Sequence, residues 1–393
     1  MSDAARLLGW FSDGSLVRPD ASVPGTVHLS HALATLAGAE GIEMAPAATR
    51  IADAIGEAEH YVFVLVDGLG MNLIDALPEE SFLRRHVAME LQSVFPSSTA
   101  PALTALFTGC WPAAHTVTGW FTYLPDAGIT STILPFIERF SERPLGELGI
   151  TSESVYSAPS LLPRLRGAAS WVPAPIAGSV SSRYFTGDTP TAGYEQLGDA
   201  CDAIAQRIAA SATPTYTYLY ISSVDKTQHE DGPDSEPARQ ALADTEHALA
   251  ALAGAVAGRA RIVVSADHGQ IGVAEAAQSP MHADDPLLRW LLVPPTGDFR
   301  APLFHAKAGA GASLAAAFRE RFGASWALLT IDEADELRLL GPQPLATETR
   351  RRLGDFIALG PGADAIRYAP DEQMLGYHGG LRREETRIPL IVA

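Results

Sequence analysis

The sequence predicts an α/β fold: a mostly parallel sheet flanked by helices, with a smaller α+β subdomain inserted at 294–365 of one domain spanning 1–393. Three observations predict it. Continuous apolar runs of strand length recur along the chain and stop at polar turn residues, the mark of strands buried on both faces. These runs alternate with helical patterns, as parallel sheets require. Between 294 and 365 the character changes to PPTGD, a Gly/Ala-rich AGAGAS run and short helical stretches.

Residues 1–55 form a mixed lead-in without evident chemistry. YVFVLVDGLG at 61–70 reads as the first buried strand, ending in Asp67-Gly68. LQSVFPSST at 91–99 reads as a second strand running into a helix over 102–107. TYTYLYISSVD at 215–225 reads as a third strand, followed by an Ala/Leu-rich helix at about 237–257. RIVVSADHG at 261–269 and RIPLIVA at 387–393 complete the set. In the insertion, LAAAFRERF and IDEADELRLL carry helical patterns.

Charge narrows the function classes. With 46 acidic against 28 basic side chains, the formal net charge is −18. Such a surface repels nucleic acid and anionic membrane, so neither a nucleic-acid duplex nor a membrane is an expected partner. An anionic substrate would need local positive charge, which a bound metal supplies. Cys110 and Cys201 stand far apart with no CxxC, against a disulfide scaffold or thiolate site. Neither a signal peptide nor an apolar run long enough for a membrane span is visible, so a cytoplasmic location is expected.

The polar residues at the strand ends carry the chemistry. Asp67, Thr99, Asp225 and Asp267 each follow an apolar run, and in open α/β sheets sites form outside the carboxyl ends of strands. Singly, each has an ordinary reading: Asp67 as a turn residue, Thr99 as a helix cap, His378 in LGYHGG as a solvated loop histidine. Asp225 and His229 share one face if VDKTQHEDG is helical. Asp267 and His268 reach one centre only where their strand has ended, which Gly269 permits. Together, three aspartates and three histidines make the donor mix that suits zinc, with manganese or iron as substitutes. Two divalent ions would balance three carboxylates and one threonine alkoxide. Ser97, Ser98 and Thr99 offer three hydroxyls in a row, and spacing alone does not separate Ser98 from Thr99 as a nucleophile.

The ordered series VDGLG, FPSSTAP, VDKTQH, SADHG and YHGG resembles the alkaline phosphatase superfamily, and within it the type I phosphodiesterase/nucleotide pyrophosphatase branch. The resemblance implies an alkaline phosphatase-like fold and two metal ions, one held by Asp225, His229 and His378, the other by Asp67, Asp267 and His268 together with Thr99. It implies Thr99 as the nucleophile of a phospho-threonine mechanism on a small-molecule phosphodiester, nucleotide pyrophosphate or phosphonate. A phosphomonoesterase or phosphomutase on the same scaffold is the alternative, and a silent anion- or nucleotide-binding protein a further one. No arginine follows Thr99 closely, and the cysteine motif of sulfatases is absent. Trp120 and Phe121 either stack on a substrate ring or pack in the core; Lys226 either touches substrate or stays in solvent. A distant arginine such as Arg183, folded into the site, would favour monoesters.

Overall fold

The computed structural model describes residues 2–393. Its main sheet has seven strands in the order Val87–Gln92, Arg387–Val392, Ala260–Ser265, His60–Val66, Thr215–Ile221, Ala168–Pro173, Thr191–Tyr194. The pairings from Ala260–Ser265 to Thr191–Tyr194 are all parallel, and Arg387–Val392 is antiparallel to both its neighbours. His60–Val66 and Thr215–Ile221 are buried at every position, as a sheet covered on both faces demands. Register then aligns the carboxyl ends. Val66 pairs with Ile221 and Leu65 with Ser265, so Asp67 and the turns leading to Asp225 and Asp267 leave the sheet together.

The strand expected at 91–99 ends at Gln92. It is an edge strand with alternating exposure, and residues 93–98 form a buried loop leading into the helix Thr99–Thr108. The strands Ala168–Pro173 and Thr191–Tyr194 were not expected; they are short and carry Ala, Pro and Gly.

A second seven-stranded sheet is antiparallel throughout, in the order Ala327–Thr330, Phe356–Leu359, Ala301–Phe304, Thr296–Asp298, Phe121–Leu124, Ile129–Thr132, Ile137–Glu138. Residues 294–365 supply four of these strands and residues 121–138 the other three. The helical patterns in 294–365 become Gly311–Phe322 and Ile331–Glu336, the latter started by a Thr330/Glu333 capping box. The lead-in is helical: Asp3–Ser12 packs Leu7 into the second layer's core, while Thr26–Leu36 and Pro46–Ile55 pack with the main sheet. Among the described residues no helix is long and apolar enough to cross a membrane.

Candidate active site

Each strand end delivers its residue for a local reason. Asp67 follows the fully buried His60–Val66, and its N–H donates to Ile221 O at 2.9 Å, which locks the turn to the neighbouring strand. Gly68 has φ +71, and a Cβ there would lie 3.0 Å from Asp225 Cα, so only glycine lets the two turns meet. Asp225 and His229 lie on the short helix Ser223–Asp231, one turn apart on one face. Asp267 and His268 follow Ala260–Ser265, and His378 follows the two-residue strand Gly376–Tyr377.

The three imidazoles share one orientation. His229 Nδ1 donates to Gly376 O at 2.8 Å, His268 Nδ1 to Gly269 O at 3.1 Å and His378 Nδ1 to Ser97 O at 3.2 Å. A carbonyl oxygen only accepts, so each Nδ1 carries the hydrogen and each Nε2 turns a lone pair inward. His229 Nε2 and His378 Nε2 face each other at 3.2 Å. His268 Nε2 lies 3.5 Å from Asp67 Oδ1 and 3.4 Å from Asp267 Oδ2, and both oxygens are buried without a hydrogen-bond partner. Donor atoms of Asp225, His229 and His378 lie within 4.8 Å of one another, as do those of Asp67, Asp225 and His268. Acceptors crowded against acceptors fit cations, whose charge would neutralise them.

The electrostatics agree. Burial, then the charges of Asp225 and Asp267, raise Asp67 well above the usual carboxylate range. Burial, then His268 and His229, hold His378 well below its usual value. Burial would raise Asp225, but positive charge on His229, His378 and His268 outweighs it and holds that carboxyl low when no cation supplies the charge in their place. Tyr220 donates its hydroxyl to Asp67 Oδ2, and Gln270 donates Nε2 to Asp225 O at 3.2 Å and to the Asp225 carboxylate.

The hydroxyl triplet separates. Ser97 Oγ donates to Gly380 O at 2.7 Å and Ser98 Oγ to Asp298 Oδ1 at 2.7 Å, both buried. Thr99 alone faces the cluster, its hydroxyl donating to His268 Nε2 at 3.0 Å. Thr99 lies at the helix's first position; Ser98 precedes it at the cap position and makes no side-chain cap bond.

Thr99, Asp67 and Asp225 sit at the floor of a cleft of about 610 Å³. Its walls include Trp120, Leu134, Pro135, Pro173, Ile176 and Phe185. Among the described residues, Lys226 is the one cationic side chain lining it; it is 70% exposed and 3.8 Å from Glu230. Phe121 does not line the cleft. It is buried in the second layer, with the Arg139 guanidinium 3.7 Å over its ring and Phe299 against its edge, so it packs rather than binds. Arg183 donates to Gly178 O and stays outside. A larger hollow of about 850 Å³ lies at the amino ends of the same strands, against His60 and Arg261. It contains none of the site residues.

Residues 61–379 match the model of the type I phosphodiesterase / nucleotide pyrophosphatase family. The chain belongs to that family. This type I phosphodiesterase / nucleotide pyrophosphatase family member is accordingly a phosphoric ester hydrolase of the alkaline phosphatase superfamily. Its fold resembles murine ectonucleotide pyrophosphatase / phosphodiesterase 5, at TM-score 0.62 and 17% identity over 84% of this chain and 87% of that one. The human ectonucleotide pyrophosphatase / phosphodiesterase 5 gives 0.63 and 16% over 84% and 87%. Phosphonoacetate hydrolase from Sinorhizobium meliloti 1021, solved with phosphonoacetate, gives 0.59 and 18% over 84% and 89%. At these identities the likeness is one of fold. No curated protein matches the sequence.

Three residues at the family member's site escape sequence reasoning. Tyr220 is one of three tyrosines alternating in TYTYLY, Gln270 follows the SADHG run, and Asp298 stands in PPTGD, which reads as an ordinary turn.

Proposed function

We propose that the chain hydrolyses a phosphodiester, nucleotide pyrophosphate or phosphonate-type bond, with Thr99 as nucleophile and two divalent cations as cofactors. Asp225, His229 and His378 would hold one cation; Asp67, Asp267 and His268, with Thr99, would hold the other. One observation carries the reading: three inward Nε2 lone pairs and two unpartnered carboxylate oxygens surround a threonine hydroxyl at the floor of a cleft. Zinc suits these donors, and manganese or iron accept them. When bound, such ions supply Lewis-acid charge to the attacking and leaving oxygens.

The chain's own residues do the rest. Thr99 Oγ1 attacks phosphorus in line, forming a phospho-threonine as the bond to the leaving group breaks; water then attacks the same phosphorus and restores the hydroxyl. The helix Thr99–Thr108 begins at the nucleophile; Pro101 has no N–H and the Ala102 N–H is bonded to Ser98 O, so the N–H groups of Thr99 and Ala100 are the first-turn donors that would support an equatorial oxygen. Asp298, Gly376 and Ser97 keep hydroxyls and imidazoles oriented.

The cleft favours a diester. A monoester dianion is usually met by a guanidinium that grips two oxygens. Here Lys226 is the one cation lining the cleft, and the walls offer apolar and aromatic surface to a second substituent. A cytoplasmic location is part of the reading, supported by the unpaired Cys110 and Cys201.

Elemental analysis of protein purified without chelator tests the cofactor, and paired assays on bis-nitrophenyl phosphate and nitrophenyl phosphate test the substrate. We expect about two equivalents of zinc or a similar ion, and kcat/KM roughly 10-fold or more higher for the diester. Full activity in excess chelator would overturn the metal reading. Equal or better turnover of the monoester would replace the diesterase with a monoesterase.

A further inference from the structure

We infer that Asp298 is a positioning residue for the reaction, holding the Thr99 loop, the Trp120 wall and the His378 loop in one register. The inference rests on Thr99 as the nucleophile. Asp298 ends the strand Thr296–Asp298 of the second sheet, lines no part of the cleft and is 6% exposed. Its Oδ1 accepts two hydrogen bonds, from Ser98 Oγ at 2.7 Å and from the Trp120 N–H at 3.2 Å.

The bond from Ser98 is the informative one. A serine before a helix ordinarily turns its hydroxyl inward to accept a first-turn N–H. Ser98 has the extended backbone of such a cap, φ −139 and ψ 149, yet makes no cap bond; Pro101 at the third helical position has no N–H to offer, which frees the hydroxyl for another partner. Its hydroxyl goes instead to a carboxylate 200 residues away. The side chain of the residue immediately before Thr99 is thus tied to the second sheet, while its carbonyl still accepts the helix bond from the Ala102 N–H at 3.0 Å.

The same hairpin reaches the other loop. Gly379, next to His378, has φ +107, and a Cβ there would lie 2.6 Å from Asp298 Cβ, so the loop rests directly on this side chain. Two residues after Asp298, the buried Arg300 pairs with Glu385 through contacts of 3.2 and 3.1 Å. The Glu385 carboxylate accepts the N–H groups of Gly380 at 2.9 Å and Arg382 at 3.1 Å. Ser97 Oγ to Gly380 O, at 2.7 Å, closes the circuit between the two loops. One hairpin therefore sets the distance between the attacking hydroxyl, an imidazole and the wall that would bear the substrate. In-line attack is sensitive to that distance: a misplacement of about 1 Å costs on the order of 100-fold in rate.

The test uses Ser98→Ala, Asp298→Ala, Asp298→Asn and the Ser98→Ala/Asp298→Ala double variant. Each is assayed on bis-nitrophenyl phosphate with added zinc or manganese, and melting temperature and bound metal are measured on the same samples. We expect Ser98→Ala and Asp298→Ala each to lower kcat by roughly 10- to 100-fold with KM within about threefold. The double variant should lose no more than the worse single one, and Asp298→Asn, which keeps the Oδ1 acceptor, should recover most of the loss. A crystal structure of Ser98→Ala should show Thr99 Oγ1 displaced from its 3.0 Å bond to His268. Unchanged kcat in folded Ser98→Ala, or additive losses in the double variant, would overturn the inference. Should Asp298→Ala fail to fold, Ser98→Ala carries the test. If the wild type binds metal but turns over no diester, the diesterase reading fails instead, and the Thr99–His268 separation in the variant still decides the positioning.

Discussion

The parallel sheet presents its buried carboxylates where strands stop; the antiparallel sheet keeps its own inside a hairpin. Asp67 and Asp267 each leave one oxygen without a partner and turn it toward an imidazole lone pair. Asp298 gives Oδ1 to Ser98 and Trp120, and Arg300 gives its guanidinium to Glu385. Both groups are buried, and both sit within a few residues of the reacting centre. The difference lies in how the open oxygens are grouped: those of Asp67 and Asp267 gather against the His268 imidazole, whereas Asp298 Oδ2, also without a partner, stands apart while its Oδ1 fastens two loops. Open ones gathered together attract a cation; used ones fasten loops. Burial or proximity alone would not have told the two apart.

Substitutions on the two sheets should therefore fail differently. Thr99→Ala should lower kcat by about 1,000-fold or more while changing stability by less than about 1 kcal/mol, because its hydroxyl bonds only to His268. Thr99→Ser should keep measurable turnover. Near-normal kcat in Thr99→Ala would break the comparison, making Thr99 as structural as Asp298. Arg300→Met leaves the Glu385 charge buried and unpaired, and denaturant unfolding should register a loss of about 3–5 kcal/mol. A loss below about 1 kcal/mol would mean that the hairpin does not fasten the His378 loop.

Asp298→Asn sharpens the contrast through pH. Burial, offset in part by Ser98 and Trp120, pushes this carboxyl from 3.8 up to about 6. Between those values the folded chain holds a proton that the unfolded chain has released, so this group's contribution to stability falls as pH rises through the window and stays lost above it. The substituted amide has no proton to lose. The stability of Asp298→Asn relative to wild type should rise across about pH 4 to 6, by at most roughly 3 kcal/mol. A difference that stays flat from about pH 4 to 7 would mean the carboxylate is already stabilised in place. The smallest effect belongs to Lys226→Ala: an exposed lysine near an exposed glutamate should change kcat/KM for a diester by no more than about threefold. A larger loss would place Lys226 against the substrate.

The main sheet was legible because its strands announce themselves. Tyr61–Val66 is an unbroken apolar or aromatic run and Thr215–Ile221 a run of β-branched, aromatic and aliphatic residues, and the residue after such a run falls at the sheet's carboxyl edge without further information. Val87–Gln92 was misplaced by several residues because an edge strand alternates, and because the apolar Val94 and Phe95 extend the pattern into what is a buried loop. Phe121 looked like a partner for Trp120, but Phe121 opens a strand of the second sheet while Trp120 lies in the bend before it, and of the two only Trp120 lines the cleft. Asp298 could not be read as part of the site. Its meaning comes from Ser98 and Trp120, which no local pattern connects to it. The second sheet was hidden for a similar reason: antiparallel pairing joins Gly297 to Phe121 across a long stretch of chain.

The placing of Arg387–Val392 between Val87–Gln92 and Ala260–Ser265 has a consequence for the nascent chain. Its two partners leave the ribosome long before it does. Until it arrives they frame an open slot, with unpaired backbone donors and acceptors along both rims and the apolar Val263, Val264 and Leu91 beside it. Such a slot is a template for any passing extended segment, from a neighbouring chain as readily as from this one. His378 precedes that strand in the chain, so its imidazole joins the cluster of aspartates and histidines as the strand docks. Completion of the His/Asp cluster, closure of the sheet and protection from aggregation would then coincide in one event.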